Sequence, residues 1–188
     1  MDALLSSLVA AALAEWGDRT QLLVILLAAR YRRAAPILVG LAVAALANAL
    51  IAAAGGVYVH DLVPPRAGAL LVALALILAG FGGLVTRRPP RWSERLKGGA
   101  FFAALVGAFL LELGDKTQFI TFALAARFDS LALTAAGATL GIVASNIPAA
   151  VLAERLVDAV PTRPVRIAVA LLFLVTGFVV AVGALDLT

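Results

Sequence analysis

Cysteine is absent from the 188-residue chain and histidine occurs once. Disulfide frameworks, thiolate metal centres and thiol nucleophiles therefore have no residues to draw on. Charge is scarce too: 14% of residues are Asp, Glu, Lys or Arg, 63% are apolar, and mean hydropathy is +1.06. A soluble domain carries about a quarter charged residues, so a water-soluble globular fold is excluded. The formal charge of +4 does not point to nucleic acid, because the basic residues lie between apolar runs instead of clustering on a solvated face. No Walker-type phosphate loop is present, which argues against ATP as an energy source. Neither Lys nor Arg precedes Arg19, unlike the basic start of a secretory signal, so the first apolar segment is expected to be retained. These absences leave a single integral membrane domain over residues 1–188, without enzymatic chemistry.

What is present is a series of apolar runs, near Leu4–Ala29, Ala34–Val59, Ala67–Val85, Gly99–Ala126, Ser130–Ala153 and Val165–Leu185. Each is long enough to cross a bilayer as a helix, at about 20 residues per crossing. Displaced by 97 positions, the sequence matches itself: Glu15 meets Glu112, Gly17 Gly114, Asp18 Asp115, Thr20 Thr117 and Gln21 Gln118. Gly40 meets Gly137, Pro64 meets Pro161, and Gly80-Phe81 meets Gly177-Phe178 in the same register. Ala and Leu identities arise by chance in such helices, but ionisable residues and glycines held in one register do not. The chain therefore reads as a duplication, with repeats over 1–86 and 99–188 joined by a loop over 87–98.

Three crossings per repeat make the second copy enter the membrane from the opposite side. Basic residues test this, because they accumulate on cytoplasmic loops. Arg30, Arg32, Arg33, Arg87, Arg88, Arg91, Arg95, Lys97, Arg155, Arg163 and Arg166 fall on one side, and only Arg66 and Arg127 on the other. The expected fold is all-α, with six transmembrane helices as two inverted three-helix repeats. The 87–98 loop is expected to be cytoplasmic and both termini non-cytoplasmic, and the compact Ala/Arg-rich chain suits a bacterial inner membrane. Inverted repeats of this kind recur in secondary transporters.

The first and fourth segments are interrupted by Glu15-Trp16-Gly17-Asp18-Arg19-Thr20-Gln21 and Glu112-Leu113-Gly114-Asp115-Lys116-Thr117-Gln118. A charge at a helix centre costs about 2.5–3.5 kcal/mol against lipid. Six of them would cost roughly 15–20 kcal/mol, more than a small fold has to spare. They are expected to face each other, water or an ion. On a continuous helix Glu15 stands beside Asp18 and Arg19, and Glu112 beside Asp115 and Lys116. Four carboxylates and two cations then leave a net charge of −2, which a divalent cation would neutralise. Carboxylate, hydroxyl and amide oxygens suit Mn²⁺, Ca²⁺ or Mg²⁺, whereas Zn²⁺ and copper normally recruit His or Cys. Thr20, Gln21, Thr117 and Gln118 can add neutral oxygens if the helix unwinds at Gly17 and Gly114; otherwise those glycines serve close helix packing. Asn48, Ser145 and Asn146 are supporting candidates at corresponding depth, and Pro148 frees the Ala144 carbonyl. A bland alternative remains, in which Glu15–Arg19 and Glu112–Lys116 are intrahelical ion pairs of a structural membrane subunit.

Two copies of Glu-x-Gly-Asp-(Lys/Arg)-Thr, one per half, resemble the signature of the Gdt-one family of cation transporters. The resemblance spans the whole chain. It implies Mn²⁺ or Ca²⁺ as transported cation, with Glu15, Asp18, Glu112 and Asp115 as metal-coordinating acids and Arg19, Thr20, Lys116 and Thr117 completing the pattern. The family's bacterial members include manganese exporters. The short, Arg-rich central loop departs from eukaryotic relatives, which tend to be acidic there. The expected function is export of Mn²⁺, or also Ca²⁺, in exchange for H⁺ or Na⁺, with the lipid bilayer as surroundings, no prosthetic group and no nucleic acid. Export of a small cationic organic solute is the alternative within transport.

Overall fold

The computed structural model describes residues 1–85, 98–153, 155 and 162–185. Arg87, Arg88, Arg91, Arg95 and Lys97 of the expected cytoplasmic loop, and Pro161, lie outside the described residues. The described residues form eight α-helices and no strand: α1 (Asp2–Glu15), α2 (Arg19–Tyr31), α3 (Ala34–His60), α4 (Pro65–Leu84), α5 (Gly99–Glu112), α6 (Lys116–Phe128), α7 (Leu131–Leu152) and α8 (Thr162–Ala184). The first four begin at residues 2, 19, 34 and 65 and the last four at 99, 116, 131 and 162, always 97 later.

Four helices, α3, α4, α7 and α8, are each long and apolar enough to cross a membrane. The first and fourth apolar segments are each divided in two, the unwound alternative of the two that Gly17 and Gly114 left open. The break falls at Trp16-Gly17-Asp18 and at Leu113-Gly114-Asp115, where Gly17 has φ 71° and Gly114 has φ 75°. A residue with a Cβ resists that left-handed conformation, so glycine is what permits both breaks. Each resulting piece is 13 or 14 residues, about 20 Å long, and only an end-to-end pair reaches the ~30 Å hydrocarbon thickness.

Packing repeats at the same interval. α1 lies along α7 as α5 lies along α3, and α4 lies along α8. A Cβ on Gly40 would overlap the Phe101 carbonyl, and one on Gly137 the Leu4 carbonyl, again 97 residues apart. At the α4–α8 crossing, a Cβ on Gly80 would come within 2.8 Å of the Ala170 carbonyl and one on Gly177 within 2.9 Å of the Ala73 carbonyl. The core that these approaches create is built mostly of alanine, as suits helices whose backbones meet closely without a solvent-driven hydrophobic effect. Large apolar side chains such as Val39, Ile51, Phe102 and Val175 are turned outward. The correspondence has one departure: α4 packs firmly on α6, while the matching approach of α8 to α2 is slight among the described residues.

Candidate ion site at two broken helices

Each helix break ends on a glutamate and restarts just after an aspartate. Glu15 is the last residue of α1 and Glu112 of α5; Asp18 and Asp115 precede α2 and α6. Breaking the helix separates each Glu from the residue four positions on. Neither Glu15–Arg19 nor Glu112–Lys116 forms an ion pair, so the intrahelical pairs expected of a purely structural subunit are absent.

The motifs bond across to each other instead. Thr20 Oγ1 donates to Glu112 Oε1 at 2.6 Å, and Thr117 Oγ1 donates to Glu15 Oε1 at 2.8 Å. Both glutamates and both threonines are buried. Within each motif the glutamine holds the break closed. Gly17 N–H donates to Gln21 Oε1 at 2.9 Å, and Gly114 N–H to Gln118 Oε1 at 2.6 Å. Their amide nitrogens reach into the opposite half, Gln21 Nε2 to the Ser145 carbonyl at 3.2 Å and Gln118 Nε2 to Asn48 Oδ1 at 3.3 Å. Asn48 in turn donates to the Ala44 and Phe109 carbonyls, both at 3.2 Å. Ser145 Oγ and Asn146 Nδ2 donate to the Ile142 carbonyl, at 2.9 and 2.8 Å.

All thirteen candidate residues therefore stand at or beside the two breaks, but Arg19 is exposed. Lys116, its counterpart, is turned inward and forms an ion pair with Asp18 of the other motif, with Asp115 at 3.5 Å. Of the two motif cations only Lys116 faces the carboxylates, and Arg166 of α8 joins it in lining the small pocket beside Asp18. Two oxygens are left bare in this setting. Glu15 Oε2 and Asn146 Oδ1 are both buried with no hydrogen-bond partner, and the two side chains are close enough to interact. A buried carboxylate oxygen without a donor is costly; a proton or a cation at Glu15 Oε2 would satisfy it. No three acidic or histidine side chains converge into one ready cluster among the described residues, so the four acids do not form a single carboxylate cage here. Asp115 is the most open of them, lining a pocket of about 410 Å³ between α3 and α6 together with Gly114 and Gln118, whereas Asp18 is buried.

The sequence profile of the family described as "Divalent cation/proton antiporter GDT1" matches twice, over residues 3–90 and 100–187. The chain belongs to this family. It is therefore a membrane transporter and not an enzyme. A Vibrio cholerae serotype O1 protein named "Putative manganese exporter" is 37% identical over 183 residues, covering 96% of this chain and 91% of that one. No solved structure matches. Within this GDT1 chain, sequence reasoning missed the exchange of Thr–Glu hydrogen bonds between halves and the Ser145 and Phe109 carbonyls. These contacts join residues 61 to 124 positions apart. The self-match at 97 is the signal from which such an exchange follows once the two breaks face each other.

Proposed function

We propose that this chain exports Mn²⁺ in exchange for protons, with Ca²⁺ as a second substrate, and that Glu15, Asp18, Glu112 and Asp115 bind the cation. The observation that carries the reading is that Glu15 and Glu112, both buried, meet where two broken helices are bonded to each other through Thr20 and Thr117. A site with an excess of buried carboxylates must hold positive charge. Protons and a divalent cation are interchangeable in that role, so binding one releases the other, and a gradient of either drives the other. The hard oxygen donors favour Mn²⁺ and Ca²⁺ over Zn²⁺, in keeping with the name of the Vibrio cholerae relative.

The same reading places six crossings in the membrane, two of them broken at mid-depth, as inverted repeats with both termini outside and the 87–98 loop in the cytoplasm of a bacterial cell. The 97-residue interval between corresponding helices supports it, as does the one-sided distribution of arginines. Reconstituted into proteoliposomes, the protein should accumulate Mn²⁺ when the lumen is acidic relative to the bath, and acidify or alkalinise a pH-dye lumen according to the direction of an imposed Mn²⁺ gradient. Mn²⁺ flux that responds to a Na⁺ gradient and ignores a pH gradient would overturn the proton coupling.

A further inference from the structure

A groove of about 710 Å³ runs between α1, α4, α6 and α8. Its walls are apolar, with Leu5, Val9 and Leu13 along α1 and Leu76 and Phe173 facing them from α4 and α8. Leu5 sits near the start of α1 and Arg127 in the last turn of α6, so the mouth lies where helices end. From Leu5 to Leu13 the groove follows α1 for eight residues, about 12 Å. One leaflet of a ~30 Å hydrocarbon core is about 15 Å deep. The groove thus runs from one membrane surface to near the midplane.

Arg127 gives the mouth a charge. It lines the groove, is exposed, and makes no hydrogen bond or ion pair among the described residues. Arg66, in the first turn of α4, stands at the same end, because a Cβ on Gly68 of that turn would lie 3.7 Å from the Arg127 Cα. An apolar channel one leaflet deep beneath an unpaired guanidinium matches an acyl chain below a phosphate. The inner end is equally specific in position: Leu13 and Phe173 also line the small pocket that holds Asp18 and Lys116.

We propose that this groove binds one anionic phospholipid, with an acyl chain between α1 and α8 and its phosphate on Arg127. A chain seated there braces Leu13 and Phe173, directly behind the Asp18–Lys116 ion pair. Binding is independent of the transported cation, so the proposal stands or falls apart from the assignment of the ion site.

The test uses the full chain purified in mild detergent, with dioleoyl phosphatidylglycerol and dioleoyl phosphatidylcholine as probes. Native mass spectrometry should show one phosphatidylglycerol retained at least fivefold over phosphatidylcholine, and only phosphatidylglycerol should raise the melting temperature. Arg127→Gln should remove the preference, and Val9→Trp, which fills the groove, should reduce retention of both lipids. Both positions are exposed, so melting in lipid-free detergent should stay near that of the wild type. Equal retention of the two lipids, retention of neither, or an unchanged preference in Arg127→Gln overturns the proposal. Because the chain has no cysteine, Val9→Cys can be probed alone. Its protection within a detergent-stable dimer would show a second copy on the groove instead, and would also overturn the proposal.

Discussion

Glu15 and Glu112 are the residues on which a transport role and a packing role make opposite demands. Changing either to Gln keeps the side-chain shape and leaves an amide oxygen for Thr117 or Thr20 to donate to. The fold should therefore survive within about 1 kcal/mol, while the charge that compensates a divalent cation is lost. Glu15→Gln and Glu112→Gln should each lower Mn²⁺ flux at least tenfold, at wild-type expression and monodispersity. Well-folded variants that still carry Mn²⁺ at full rate would remove these glutamates from the transport site. Lys116 makes a different prediction, because its ammonium occupies Asp18 where the cargo should bind. Breaking a buried pair destabilises by about 3–5 kcal/mol, so Lys116→Gln should melt earlier without metal. Added Mn²⁺ should then raise its melting temperature by more than it does for the wild type, since the competitor for Asp18 is gone. A smaller shift than wild type would mean that Lys116 assists cation binding. The acids themselves were legible in the sequence, because ionisable residues inside apolar runs need a reason. Their partners were not: i,i+4 reasoning presumes an unbroken helix, and the pairs of Glu15 with Arg19 and Glu112 with Lys116 that it offered as the alternative do not form.

The two breaks decide whether those residues meet at all. At Gly17 and Gly114 the sequence allowed two readings, close packing or unwinding, and both kinds of glycine exist in this chain. Gly40, Gly80, Gly137 and Gly177 admit a neighbouring backbone, whereas a Cβ on Gly114 would meet nothing within 4 Å. Space therefore does not require glycine at 114; the positive φ does. Gly114→Ala should cost about 1–2 kcal/mol and favour a continuous α5–α6 helix, which would bring Glu112 and Lys116 onto one face and draw Thr117 away from Glu15. Flux should fall with only this modest loss of stability, measured on the same preparation by thermal melting and Mn²⁺ uptake. Gly40→Ala should do the reverse, destabilising the α3–α5 contact strongly, because its Cβ has no room. Comparable stability losses in the two variants would contradict the separate roles. Segment boundaries were legible from hydropathy alone, but the breaks were not, since a glycine's φ depends on what the restarted helix packs against.

At the scale of the whole molecule, the interval of 97 residues carries the argument. It is visible in the sequence as matched acids and glycines and in the structure as matched helix starts, hydrogen bonds and backbone contacts. Two like-oriented repeats would carry their basic ends to opposite membrane faces. Here the Arg30–Arg33 cluster after α2 and the Arg163–Arg166 cluster at the start of α8 come from non-corresponding ends of the repeats, yet fall on the same face if each repeat crosses three times. On the proposed topology an odd number of crossings would invert the second repeat, and inversion would reconcile the duplication with the one-sided arginines. It also lets two copies of one motif meet at one depth, each threonine reaching the other's glutamate. The orientation is open to a direct measurement, because the natural chain offers no thiol to a maleimide. Ser93→Cys should be shielded from a membrane-impermeant maleimide in intact cells and react after permeabilisation, whereas Thr188→Cys should react in intact cells. Reaction of both from the same face would mean an even number of crossings between residues 93 and 188. The second repeat would then not cross three times, and the exchange of hydrogen bonds between the two motifs would need an explanation other than inversion.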